Sequence, residues 1–134
     1  MELETIIDQA AIFIGYDSTN RWLYVDWKGE HTQESSQATC MLMLDSLRAR
    51  PCAKILNDNS SITRTSVELT LWGAWWLEEM RNAGLQYIAW VYPRDFDARK
   101  ATEIVVQRIE QPVVATFDDV ASAYIWLQQQ SAHD

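Results

Sequence analysis

Apolar and polar positions alternate in blocks whose spacing changes along the chain, and the spacing predicts the elements. Ala10 to Tyr16 and Trp22 to Trp27 are rich in β-branched and aromatic residues, and the turn-forming Asp17-Ser18-Thr19-Asn20 separates them, so this stretch predicts a β-hairpin. From about Thr32 to Ala49, Ser36, Cys40, Met43, Leu44 and Leu47 recur at helical spacing, and Pro51 stops the helix. Ala53 to Leu56 reads as a buried strand. The segment after it, Asn57-Asp58-Asn59-Ser60-Ser61, has the composition of a loop.

Helical spacing resumes from Val67 to Ala83, closed by Gly84 at the position of a C-terminal cap. Tyr87 to Val91 predicts a strand, Ala98 to Glu110 a helix, Val113 to Phe117 a last strand, and Asp118-Asp119 opens a final helix. The expected order is ββαβαβαβα. Short, continuously apolar strands alternating with helices predict an α/β sandwich: a mostly parallel mixed sheet with an N-terminal β-hairpin and four helices. A chain of 134 residues fits one domain, 1–134, with its core over about 10–128.

The second helix carries an unusual aromatic load. At 100° per residue, Leu69, Trp72, Trp76, Met80 and Ala83 form one stripe facing the sheet, while Leu71, Trp75 and Leu77 fall outside it. An apolar arc this wide has three readings: packing against a neighbouring helix, a protein interface such as a homodimer, or the wall of an apolar pocket. Seven tryptophans in so short a chain favour the interface.

Composition narrows the function classes. A net charge of −8, with eleven scattered Lys and Arg residues, opposes binding to a phosphate backbone, so nucleic acid is not an expected partner. No apolar run approaches the ~20 residues of a membrane span. Met1-Glu2-Leu3-Glu4 is acidic and leads into no signal-type segment, which makes the cytoplasm the expected compartment. Cys40 and Cys52 lack metal-site spacing, and with four glycines there is neither a dinucleotide fingerprint nor a phosphate-cradling loop, so no metal or cofactor is expected. The only histidines are His31 and His133, and the carboxylate pairs Glu78-Glu79 and Asp118-Asp119 diverge on a helix. Arg94 and Arg99 could face an anion, though a turn with a helix cap explains their segment equally well. No catalytic set assembles, and the chain is expected not to be an enzyme.

Four stretches resemble the STAS domains, the SpoIIAA-like relatives of bacterial anti-sigma-factor antagonists, and especially their small stand-alone STAS/Sec14-like members. They are Tyr24-Val25-Asp26-Trp27-Lys28-Gly29, Lys54-Ile55-Leu56-Asn57-Asp58-Asn59, Ala83 to Val91, and Thr116 to Ala123 with Leu127. The resemblance implies a sheet backed by helices that works by binding a protein partner or, in lipid-transfer relatives, an apolar ligand. Antagonists carry a phosphorylated Ser after the third strand. Ser60 and Ser61 occupy that region here, with Thr63, Thr65 and Ser66 nearby, although Asn57-Asp58-Asn59-Ser60 departs from the antagonists' Asp-Ser-Ser-Gly.

The expected function is therefore a non-enzymatic regulatory or scaffold module. It binds a protein partner, or a second copy of itself, through Asn57, Asp58, Asn59, Ser60 and Ser61 and the adjoining Trp72, Trp75 and Trp76. Ser60 and Ser61 are candidate phosphorylation sites. The alternative is a carrier or sensor of a small lipophilic ligand held between helices and sheet beside the same tryptophans.

Overall fold

The structure, a computed structural model, describes residues 2–65 and 70–133. Its elements run β1 (Glu4–Asp8), β2 (Ile12–Asp17), β3 (Trp22–His31), α1 (Gln33–Ala49), β4 (Lys54–Thr65), α2 (Leu71–Asn82), β5 (Tyr87–Val91), α3 (Phe96–Gln107), β6 (Val113–Phe117) and α4 (Val120–Gln129). The six strands form one sheet in sequence order. β1, β2 and β3 pair antiparallel, and β3 to β6 pair parallel. The mostly parallel mixed sheet, the hairpin and the four helices are those the sequence predicts, preceded by one further strand.

That further strand, β1, was not expected. It lies at the sheet edge, where Glu4, Thr5 and Asp8 are exposed and only Ile6 and Ile7 contribute apolar surface to the core. Its pairing with β2 positions it more than any pattern of its own.

Each parallel crossover advances one position in the same direction along the sheet, and crossovers of one hand then place their helices on one face. α1, α2 and α3 accordingly share a core with one side of the sheet: Met43, Leu44 and Leu47 from α1, Trp76, Leu77 and Met80 from α2, and Ala98 from α3 meet Leu23, Val25, Ile55 and Ile88. α4 alone covers the other side, where Ala123 and Leu127 meet Trp22, Leu56, Ala89 and Val91.

The helix ends follow from local chemistry. Thr32 and Ser35 form a reciprocal capping box at the start of α1. Thr70 caps α2 by accepting from the Gly73 N–H at 3.2 Å. At the other end of α2, Gly84 adopts φ 113°, and its N–H and that of Leu85 return to the carbonyls of Arg81 and Met80. This is a Schellman closure, which a side chain at Gly84 would strain. The expected start of the helix at Val67, and Leu69 of its stripe, lie outside the described residues. Leu77, expected outside the stripe, is buried against α1's side of the core, while Leu71 and Trp75 stay exposed.

The main correction concerns β4. Asn57 to Ser61 is not a loop but the middle of a twelve-residue strand. β3 continues to His31 rather than ending at Trp27, so its partner also runs on, and the ladder pairs Val25 with Asn57, Asp26 with Asp58 and Lys28 with Ser61. The register slips between the last two pairs, a bulge that gives β4 an extra residue. Cross-strand pairing outweighs the turn preference of Asn, Asp and Ser.

Candidate functional site

Strand alternation directs Trp27, Asn57, Asn59, Ile88 and Trp90 to the three-helix side of the sheet. α1 contributes Ser36, Cys40 and Met43 above them, α2 contributes Trp72 and Trp76, and α3 contributes Thr102 and Val105. Between these groups lies a cavity of about 110 Å³, several times the ~10–15 Å³ that one water needs. Its walls are mostly apolar, and none of the described residues lining it is Asp, Glu, Lys or Arg.

The floor carries an ordered polar pair. The indole N–H of Trp27 donates to Asn57 Oδ1 at 2.9 Å, and Asn57 Nδ2 donates to Asn59 Oδ1 at 3.3 Å. Both amides are buried, so these bonds meet the cost of removing them from water. In the wall, Trp76 Nε1 donates to the Cys40 carbonyl at 2.7 Å, which ties α2 to α1. Three buried donors have no partner among the described residues: Trp22 Nε1 on the α4 side of the sheet, and Ser36 Oγ and Trp90 Nε1, both from residues lining the cavity. Burial alone pushes the Cys40 thiol up to about 12.

His31 also borders the cavity but is fully engaged. Its Nε2 lies 3.1 Å from the Lys28 carbonyl and 3.3 Å from that of Ala11, and its Nδ1 lies 3.3 Å from Ser35 Oγ. Its ring packs edge-on against Trp27. The histidine thus locks the end of β3 to the start of α1. Among the described residues no three His, Cys, Asp or Glu side chains are grouped to hold a metal ion, and no helix is long and apolar enough to cross a membrane.

Asn57, Asn59, Trp72 and Trp76 are therefore brought together as one lining. Trp75 is left outside, 45 % exposed, with its ring 5.8 Å from that of Trp72. Asp58 and Ser60 fall on the opposite side of the sheet. There Asp58 accepts from the Tyr24 hydroxyl at 2.6 Å and from the Ser60 hydroxyl at 2.6 Å. Ser61 is exposed in mid-strand, and neither serine stands at a helix start, which Thr70 marks. Asp26 lies beside Asp58 in the ladder with Oδ1 buried and unpartnered. Burial and then the Asp58 charge push its carboxyl above the usual range, while Lys28 pulls it partly back. Burial, followed by the bond to Asp58, likewise holds the Tyr24 hydroxyl well above its ordinary value.

Sequence reasoning missed Trp27, Ser36 and Trp90 as lining. Their signal was the period of two in Trp22 to Trp27 and Tyr87 to Val91, which fixes a face but not what lies above it.

Solved structures of other proteins share this architecture. An uncharacterised DUF3478-family protein with a SpoIIAA-like fold from Shewanella loihica PV-4 is 19% identical, with a TM-score of 0.53 over 87% of this chain and 92% of that one. The anti-sigma factor antagonist SpoIIAA in its unphosphorylated form is 7% identical, with a TM-score of 0.51 over 96% and 100%. The chain has the SpoIIAA-like fold. No family model matches it, and no curated protein matches it in sequence.

Proposed function

We propose that the chain is a non-enzymatic binding module that holds a small, largely apolar ligand in the cavity between α1, α2, α3 and the sheet, as a carrier or sensor. The observation that carries this reading is an aromatic-walled space, partly open to solvent, over the buried Trp27–Asn57–Asn59 chain. Ligand sites characteristically combine mostly apolar walls with a few placed polar groups. The same proposal takes residues 1–134 as one binding domain, its core over about 10–128, working in the cytoplasm.

A protein partner is the second reading, favoured by the outer face of α2, where Leu71 is 92 % and Trp75 45 % exposed. Burial of such side chains is what anchors interfaces. Here the contact runs through α2 and not through Asn57 to Ser61, whose first three residues are buried. The fold supports this reading too, since the SpoIIAA of the comparison is an anti-sigma factor antagonist. Phosphorylation of Ser60 or Ser61 belongs to it, and the exposed Ser61 is the better acceptor.

Native mass spectrometry of the purified protein, before and after mild denaturation, separates the two. An extra small-molecule mass released on unfolding supports the ligand reading. A ligand-free dimer that Leu71→Glu with Trp75→Glu converts to monomer supports the interface.

A further inference from the structure

Of the three unpartnered donors, the two that border the cavity bear on what it takes. Ser36 is 4 % exposed and its hydroxyl makes no hydrogen bond among the described residues; Trp90 is only partly buried, but its indole nitrogen is inaccessible and likewise unpaired. Both residues line the same cavity, from α1 above and β5 below. Buried polar atoms in folded proteins are satisfied with few exceptions, and Ser36 and Trp90, unlike the similarly orphaned Trp22, border an empty space in which an acceptor can be placed. None of the described residues lining the space is Asp, Glu, Lys or Arg, so an ionised ligand would meet no counter-charge from them. Trp27, Trp72, Trp76 and Trp90 offer flat apolar surface suited to a ring.

From these observations we infer that the ligand is an uncharged, ring-bearing molecule with a carbonyl- or ether-type acceptor, which receives hydrogen bonds from Ser36 Oγ and Trp90 Nε1. The inference rests on the ligand reading of the cavity and sharpens it from "lipophilic" to "apolar ring plus neutral acceptor". It also assigns Ser36 and Trp90 a recognition role.

The test uses three probes of similar size: acetophenone, which has ring and acceptor; cumene, which has the ring alone; and benzoate, which carries a charge. Each is titrated into the purified ¹⁵N-labelled protein while the indole N–H signals are followed. Acetophenone is expected to bind about tenfold more tightly than cumene, the order of gain when a buried donor acquires a partner, and to move the Trp90 indole proton downfield. Benzoate is expected to bind more weakly than either. In the Ser36→Ala/Trp90→Phe double variant, which removes both orphaned donors, the ratio of acetophenone to cumene affinity is expected to fall to about one, whatever the smaller ring at position 90 does to both. Equal binding of acetophenone and cumene to the native protein, a preference that survives in the double variant, or tightest binding of benzoate overturns the inference while leaving the cavity as a ligand site. Failure of all three to bind overturns the ligand reading itself.

Discussion

Trp27 and Asn57 are bonded side chain to side chain, Nε1 to Oδ1 at 2.9 Å, across the parallel pair β3–β4 and directly beneath the cavity. The bond makes one buried amide serve two partners, because Asn57 also donates to Asn59. Asn57→Ala strands the Trp27 indole and one acceptor on Asn59, each a buried polar group left without its bond. The expected loss is about 2–4 kcal/mol in urea unfolding, with weakened acetophenone binding in whatever fraction remains folded. A loss below about 0.5 kcal/mol would mean that the pair is solvated and the cavity floor is open.

Ala101 sits half-buried on the cavity wall in α3. Ala101→Phe places a ring in the empty volume. The expected outcome is loss of acetophenone binding, and of any small-molecule mass the native protein retains, with thermal stability changed by no more than a few degrees, since an apolar ring fills apolar space. A large drop in melting temperature would mean that the space is already packed.

The parts of this fold that depend on local signals were legible from the sequence. Gly84 marks the end of α2 because only the left-handed region closes that helix with a Schellman turn. Pro51 and the continuous apolar run of Tyr87 to Val91 were similarly decisive. What failed depends on partners distant in sequence. Asn57-Asp58-Asn59-Ser60-Ser61 has loop composition, yet it is strand because ten-residue β3 lies beside it, and Asn57, Asp58 and Asn59 are tolerated there because Trp27 and Tyr24 bond to it from opposite faces. Leu77 was placed outside the sheet-facing stripe because the helical wheel assumes one covering surface, whereas α2 touches both the sheet and α1. For the same reason Trp72 and Trp76 could be identified as candidate lining from sequence, but Ser36 and Trp90 could not: an orphaned donor is visible only once its neighbours are in place.

Asp26 supplies a pH dependence whose sign is fixed by its direction of shift. In the unfolded chain it ionises near 3.8, and in the folded chain higher, because burial and Asp58 oppose its charge. Below the unfolded value it is neutral in both states and costs nothing. As pH rises from there through the folded value, the unfolded chain releases its proton first and stability is lost; above the folded value the loss is constant. Asp26→Asn removes this burden. The variant is expected to exceed the native protein by about 1 kcal/mol near neutral pH, with the difference closing below about pH 4, as urea unfolding across pH would record. A variant no more stable than the native protein at neutral pH would indicate that Lys28 compensates the carboxylate fully.

Cys40 gives a chemical readout of the cavity. Cys40 is among the residues lining the space, and burial holds its thiol pKa up to about 12, so near pH 8 the reactive thiolate is only about one part in ten thousand. Alkylation by iodoacetamide is therefore expected to run about a thousandfold slower than for a free cysteine, and faster only once the protein is unfolded. Cys52, whose thiol is also raised by burial but which donates to the Lys54 carbonyl at 3.3 Å, provides the internal comparison. Peptide mapping after timed alkylation resolves the two. Acetophenone should slow Cys40 further by filling the space through which the reagent arrives, without changing Cys52. Equal protection of both cysteines would instead point to a global tightening of the fold, and rapid labelling of Cys40 in the native protein would place its thiol in contact with bulk water.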